Sequence, residues 1–423
     1  MPSQRILIVG AGVAGSVSAF WLAKHNFEVV VIERSKVGQK LGQGIEIEEP
    51  ALQVVKAMGI LDKLNEKKTG ELGFEFNDEN FRVRGRLEAT GSYSPTGNLE
   101  LMRGDLTEVL YEAADQSANV KYQFETTVQS LTQTQDKITV ELQNRTERSS
   151  WKEEFDFVIG ADGVKSHTRR LTMGPPEVLN CLKPVDAYVA YFSIPKEDRD
   201  WPYSRMCAFP GRRNIWIRPI GKDDKIVSVY LMHIGGDHPD IHQAIATGDR
   251  PKQKEHLAKL YSGLGWEAPR VIEQMMAAEN FYSDELQQVK LQRWSQQRVV
   301  LLGDAAWAPT PFTGAGNQLA IIGGWVLAQE LSRHRSPVAF ETYEKRLRAY
   351  VEQRQRIPLW GYAPYIFMPK TTLGVRTLHV FFVFVSWIAR FLIWSRLSRL
   401  FPDGGQENDF DLEMEGVDAN AVG

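Results

Sequence analysis

Four apolar residues followed at once by three glycines constrain this chain more than anything after them. Arg5-Ile6-Leu7-Ile8-Val9 reads as a buried strand, and Gly10, Gly12 and Gly15 follow in G-x-G-x-x-G spacing. Ser16 to Lys24 reads as a helix with Val17, Phe20, Trp21 and Leu22 as apolar contacts, and a second strand, Glu28 to Ile32, ends on Glu33. A strand–helix–strand unit with an acidic residue about 20 positions beyond the glycines is the context a dinucleotide fingerprint requires. Gly10 permits the tight turn, Gly12 lets backbone approach a pyrophosphate, and Gly15 lets helix pack on strand. The helix N-terminus offers free N–H groups and a positive dipole end to phosphate. Glu33 is placed to accept hydrogen bonds from an adenosine ribose.

The chain has 423 residues, enough for two domains or one large discontinuous one. A net charge of −3 lacks the basic footprint of a nucleic-acid binder. Cys181 and Cys207 are the only cysteines and lack metal spacing, so a reducing, cytoplasmic setting is expected. The first apolar run, broken by three glycines, is read as a strand and not as a signal peptide.

Beyond Arg34 the loop Ser35 to Gly44 is glycine-rich, as where backbone approaches a ligand. A helix, Ala51 to Met58, then closes at Gly59. Strands Leu72 to Phe76 and Phe81 to Leu87, turn residues Ala89 to Asn98, strand Leu99 to Arg103 and a helix from Asp105 follow. Val120 to Leu142 reads as a meander, and the buried strand Phe155 to Ile159 ends in Gly160-Ala161-Asp162-Gly163. From Ala187 to Ile234 alternating strands predict an antiparallel sheet. The first pattern then returns: strand Arg298 to Leu302, Gly303-Asp304, a Pro/Gly loop from Pro309 to Gly316, and a helix from Asn317. The expected fold is α/β, a Rossmann-type nucleotide domain (1–70, 99–182 and 281–335) interrupted by an antiparallel substrate domain (71–98 and 183–280). C-terminal helices (336–401) and a disordered acidic tail (402–423) complete it.

Four motifs in this order resemble the class A FAD-dependent monooxygenases of the para-hydroxybenzoate hydroxylase fold, the tetracycline-inactivating and other aromatic-ring or polyketide hydroxylases among them. They are Gly10 to Gly15 with Glu33-Arg34, Arg103-Gly104-Asp105-Leu106, Gly160 to Gly163, and Gly303-Asp304-Ala305-Ala306 with Pro311-Phe312-Thr313-Gly314-Ala315-Gly316. The resemblance implies bound FAD and transient NAD(P)H, and oxygen passed from O2 to a hydrophobic substrate through a flavin C4a-hydroperoxide. It assigns Glu33 to the ribose, Arg103 to the ribityl or phosphate portion, Asp304 to the ribityl and pyrophosphate region, and Asp162 to the pyrophosphate side. Gln43, Gly44 and Glu46 match a loop lining the flavin; Val13, Ala14, Arg34, Gly314, Gly316 and Asn317 complete the cofactor set. The chain departs from the family pattern at Trp307, where His is usual, at Asn317, which follows Gly316 directly, and at Ile322-Gly323-Gly324. A flavin reductase or halogenase on the same fold and a degenerate flavin-binding protein are the rival readings. Ile215-Trp216-Ile217-Arg218-Pro219 lacks the halogenases' paired-Trp motif.

No protein nucleophile is required, since the flavin carries the chemistry. Tyr191, His233, Arg213 and Pro311 are pocket candidates. Arg212-Arg213 also read as an exposed hairpin tip, and strand aromatics also read as core. His238 and His242 stand at i, i+4 near Asp237 and Asp240; a solvated helix start is favoured over a metal site, and none is assigned. Thr377 to Trp394 is apolar nearly all round. It reads either as a helix closing the substrate pocket or as a monotopic membrane anchor, with Arg376, Arg390, Arg396 and Arg399 at headgroups across 377–399.

Overall fold

The computed structural model describes residues 3–36, 43–89, 99–175, 180–236, 239–394 and 410–414. In chain order the first elements are β1 (Arg5–Val9), α1 (Val13–Lys24), β2 (Glu28–Ile32), β3 (Gly44–Glu46), α2 (Ala51–Ala57), α3 (Leu61–Glu66), β4 (Gly73–Asn77), β5 (Val83–Glu88), β6 (Glu100–Met102) and α4 (Arg103–Asp115). The middle holds β7 (Val120–Gln123), β8 (Thr126–Gln133), β9 (Ile138–Asn144), β10 (Ser150–Phe155), β11 (Phe157–Gly160), α5 (His167–Thr172), β12 (Leu182–Pro195), β13 (Ser204–Phe209), β14 (Arg213–Pro219) and β15 (Ile226–Ile234). Then come α6 (Pro239–Thr247), α7 (Arg250–Tyr261), α8 (Ala268–Ala277), β16 (Tyr282–Val289), β17 (Ser295–Gln296), β18 (Val299–Leu301), α9 (Asp304–Trp307), α10 (Gly316–His334), α11 (Val338–Arg354), α12 (Ala363–Phe367) and α13 (Thr372–Trp394).

The nucleotide sheet has the order β17-β18-β11-β1-β2-β7, parallel except for β17, with β1 between β11 and β2. Both faces are covered, which is why β1 shows no polar alternation. Ile6 and Ile8 join the core built with α1 and α10, including Phe20, Ile321 and Trp325. Leu7 and Val9 join a second core against the meander β8–β10, with Val128, Val140 and Phe155. Strand β10 is not anticipated by the sequence reading. The run ending at Ile159 is two strands, parted at Asp156, whose Oδ2 accepts from Arg5 N at 2.8 Å.

The second sheet has the order β16-β12-β15-β14-β13-β4-β5. Strand β4 joins it parallel to β13, and β5 follows at its edge, although more than 100 residues of chain separate them from β13. Strand β16 pairs with β12, which carries this sheet past the expected boundary at 280 to Val289. Ala190, Phe192, Ile215, Val229 and Leu231 form one face, packed on Tyr261 of α7 and on Val271 and Met275 of α8.

The tail is not wholly as expected. Residues 410–414 dock on the nucleotide domain: Leu412 is buried, Trp325 Nε1 donates to its carbonyl at 3.2 Å, and Phe410 packs on Tyr350. Glu413 pairs with Arg333 at 2.9 Å and with Arg346 at 3.5 Å. Residues 402–409 and 415–423, the loop positions 37–42 and the turn positions 90–98 lie outside the described residues.

Candidate active site

Gly10 ends β1 at φ +110°, and a Cβ there would lie 2.5 Å from the Ala161 carbonyl oxygen, so only glycine fits. A Cβ at Gly15 would lie 2.0 Å from Gly10 O, which is the close helix–strand packing the third glycine provides. Gly12 differs: nothing stands within 4 Å of its Cβ position, so it borders open space at the mouth of the turn. Glu33 is tied to this turn. Its Oε2 accepts from Ala11 N at 3.1 Å and its Oε1 from Ser35 N at 2.9 Å. Val13 and Ala14 are buried in the first turn of α1, while Arg34 is exposed.

Gly303 ends β18 at φ +63°, where its Cβ would meet Ala14 Cβ at 2.9 Å, so the third strand end abuts the glycine turn. Burial raises the Asp304 carboxyl above its ordinary range, with Arg103 pulling it down. Arg103 is exposed, and it also acts on the hydroxyls of Tyr191 and Tyr282, both held high by burial. Arg103 is thus a cation whose field reaches Asp304, Tyr191 and Tyr282 alike. Gly314, at φ +67°, has nothing near its Cβ position, and α10 begins two residues on at Gly316, with half-buried Asn317 next.

Asp162 has a structural role that the sequence does not announce. Its carboxylate accepts from Ser166 Oγ, His167 N, Thr168 N and Thr168 Oγ1, capping α5. The loop's contribution to the turn is backbone, through Ala161 against Gly10.

Next to Arg103 lies the face of the second sheet that α7 and α8 leave open, capped at its β4–β13 end by Leu378 and Phe382 of α13. Strand register puts Tyr191 opposite Tyr230, Tyr230 opposite Trp216, and Trp216 opposite Met206. Ring contacts continue the row: Tyr191–Tyr230 at 5.0 Å, Trp216–Tyr230 at 5.5 Å and Phe74–Trp216 at 5.9 Å. Tyr230 reaches the flavin-loop segment directly, its hydroxyl oxygen accepting from Gly44 N at 2.6 Å. Gln43 O accepts from Arg103 N at 3.0 Å. Beneath Gly44 is Arg218, whose Nη1 would lie 2.6 Å from a Cβ there. Buried Arg218 pairs with Glu71 and Glu100. One cation thus serves two buried carboxylates with Glu46 beside them. Burial, Glu48 and Glu100 push the Glu46 carboxyl up to about 7, and burial also raises Glu71. Tyr230 and Arg218 are missed by the sequence reading; their signal is period two, since Trp216 and Arg218 alternate onto one face.

The same parity removes two pocket candidates. Arg213 pairs with His233, and His233 with Tyr188, on the helix-facing side. Arg213 donates to the carbonyls of Pro210 and Leu260, fastening the hairpin to α7. Tyr188 bonds His242, which also meets Glu285 at 3.4 Å; Asp237 and His238 lie outside the described residues. Tyr191 stays on the open face. Pro311 is exposed in a single 3-10 turn, and its neighbour Phe312 packs with Tyr191 and Met232.

The FAD binding domain family matches residues 3–177. Monooxygenase CTB7 of Cercospora beticola is 35% identical over 405 residues, 94% of each chain. FAD-dependent monooxygenase asL6 of Sarocladium schorii is 30% identical over 94% of this chain and 95% of its own. The chain belongs to the FAD-dependent monooxygenases. Among solved structures, tetracycline destructase Tet(55) is similar at TM-score 0.75 and 26% identity, over 92% of this chain and 97% of that one. The flavin-dependent halogenase CmlS, at TM-score 0.63 and 18% identity over 88% of this chain and 67% of its own, is a likeness of fold alone.

The residues of this monooxygenase fit FAD. Gly12 leaves room for a pyrophosphate, Glu33 is fixed at the turn where a ribose would meet it, and Arg103 acts on Asp304 while its N donates to Gln43 O beside Gly44. Its departures from the family pattern also acquire a reason. Trp307 is buried, with its ring 4.4 Å from Trp294 and 5.8 Å from Tyr343. A Cβ at Gly323 would lie 2.9 Å from Trp307 Cζ2, so the glycine admits the indole. A Cβ at Gly324 would lie 2.9 Å from Val17 Cγ1 and 3.2 Å from Ala14 O, so this glycine lets α10 cross α1 closely behind the fingerprint turn. The altered stretch is a packing solution, which removes the motive for reading the protein as degenerate.

Proposed function

We propose that this FAD-dependent monooxygenase uses NAD(P)H and places one oxygen atom from O2 into a hydrophobic, aromatic or polycyclic small molecule. The observation that carries the substrate class is the row Tyr191–Tyr230–Trp216–Phe74, which gives the face opposite the cofactor turn a wall of rings. Such a wall favours flat apolar ligands through burial and ring stacking. The similarity to a tetracycline destructase supports the same reading.

FAD, when bound, supplies the hydride-accepting and oxygen-activating chemistry. The protein's part is to hold, orient and exclude water. Glu33 would hold the ribose and the α1 N-terminus would meet the phosphates. Tyr230 fixes Gly44 N, and with it the backbone that lines the cofactor. Arg218 keeps Glu71 and Glu100 in place beneath that segment, and burial raises the Glu46 carboxyl beside them to about 7. The aromatic row orients the substrate and displaces water from its face.

The test is a screen of aromatic and polycyclic compounds for stimulated NAD(P)H oxidation, followed by product mass under labelled O2. One labelled oxygen in a product that forms only with flavin supports the reading. NAD(P)H oxidation that never yields an oxygenated product with any compound overturns it.

A further inference from the structure

Glu352 and Asp403 are consecutive acidic residues, and between them stand Arg354, Arg356, Lys370, Arg376, Arg390, Arg396 and Arg399. That stretch carries +7 and leaves −10 on the rest of a chain whose total is −3. It also holds thirteen of the twenty large apolar side chains exposed among the described residues. Trp360 is 94% exposed, Val380 69%, Trp387 63% and Phe384 58%. Cationic charge and bare aromatic surface are therefore concentrated in one segment.

Helix α13 has two unlike sides. Its inner stripe, Val375, Leu378, Phe382 and Ser386, is buried against the second sheet. Phe382 stacks on Phe76 at 4.2 Å, and Ser386 Oγ accepts from Arg86 N at 2.9 Å. A Cβ at Gly85 would lie 2.9 Å from Phe382 Cβ, so the edge strand β5 is notched to receive the helix. The outer side carries Leu373, Val380, Phe381, Val383, Phe384 and Trp387, all exposed. None of the ion pairs among the described residues involves Arg376 or Arg390.

We infer that α13, with the apolar segment 359–367 before it, seats this protein on an anionic lipid surface. The helix lies in the plane of one leaflet while its inner stripe stays on the sheet. Thr372–Phe391 is long and apolar enough to cross a membrane, but crossing requires lipid on every side, and one side belongs to β5 and β4. Tryptophan on the outer side and arginines at both ends of the helix match the boundary between acyl chains and headgroups. A second copy is the poorer occupant: a two-fold contact through the outer side would bring together the exposed Arg376 and Arg390 of both copies; Arg396 and Arg399 lie outside the described residues. An anionic leaflet supplies the opposite charge.

The experiment uses the full chain with FAD bound, floated with vesicles of phosphatidylcholine alone or mixed with phosphatidylserine. Binding is expected only with phosphatidylserine and is lost at high salt. Phe384→Glu with Trp387→Glu is expected to abolish binding while flavin content stays at the wild-type level, which shows the variant is folded. To separate in-plane seating from crossing, Thr371→Cys and Arg390→Cys are labelled on vesicle-bound protein with an impermeant maleimide; both native cysteines are buried. Labelling of both positions supports the in-plane helix, and protection of Arg390→Cys alone overturns it. Wild type that ignores both vesicles, or a double variant that still floats, overturns the proposal. So does a wild-type dimer that the double variant converts to monomer, since a second copy would then own the surface.

Discussion

Replacing Gly323 by valine sets side-chain carbon against the Trp307 indole, which Trp294 and Tyr343 hold from behind. Overpacking of this kind costs about 1–3 kcal/mol. Gly323→Val is therefore expected to lower the denaturation midpoint, and to cost much less in a Trp307→His background, where the smaller ring leaves room. Equal losses in both backgrounds, measured by urea unfolding, refute the pairing. Glu33→Arg places a cation where the ribose hydroxyls belong and breaks the bonds to Ala11 N and Ser35 N; purified protein should lose its flavin absorbance, with the chain still folded by circular dichroism. Glu33 is legible in the sequence because a local spacing rule specifies it. The cap that Asp162 places on α5 is not, because an acid before glycine looks the same whether or not it caps the next helix. Trp307 and Gly323 are visible only as oddities until the fold sets them in contact.

Among the elements, the strands of the nucleotide sheet are readable because burial on both faces leaves continuous apolar runs. Strand β10 escapes that rule, since Trp151 and Glu153 alternate with exposed polar residues at a sheet edge. The segment 410–414 escapes it for another reason: Phe410, Leu412 and Met414 alternate with Asp411 and Glu413, but five residues inside an acidic tail are too short a run to stand out. Leu412→Asp is expected to free this strap, exposing Trp325 and leaving Glu413 away from Arg333 and Arg346. The readout is loss of thermal stability with faster proteolysis near the C-terminus, while unchanged values exclude a structural role. A deletion from Thr377 onward would remove this strap along with α13, so point substitutions on the outer side of α13 are the cleaner probe of lipid contact.

On the scale of the whole molecule, the second sheet meets the short β3–β6 pair through buried charge. Arg218 on β14 holds Glu100 of β6 and Glu71 ahead of β4. Burial raises Glu71, so the folded state keeps a proton that the unfolded chain releases above the ordinary carboxylate range. A raised carboxyl means that stability falls as pH climbs from about 5 through neutrality, because unfolding then sheds a proton. Glu71→Gln keeps the hydrogen-bonding shape without the titration. Its stability relative to wild type is expected to improve steadily over that interval in flavin-free protein, and a pH-independent difference excludes Glu71 as the source. Sequence reasoning finds the two-unit architecture because the pattern switches period at Ala187. It misses this link, whose three members lie far apart in the chain and gain meaning only from sheet register.

Sheet order also fixes when this protein becomes competent during its own synthesis. β1 leaves the ribosome first, yet its neighbour β11 comes some 150 residues later and β18 and Asp304 later still. At about 5–20 residues per second, the fingerprint turn waits roughly 15–60 s for its last partner. A nascent chain arrested before Gly303 therefore has the glycine turn without the strand end that abuts it and without the α10 N-terminus.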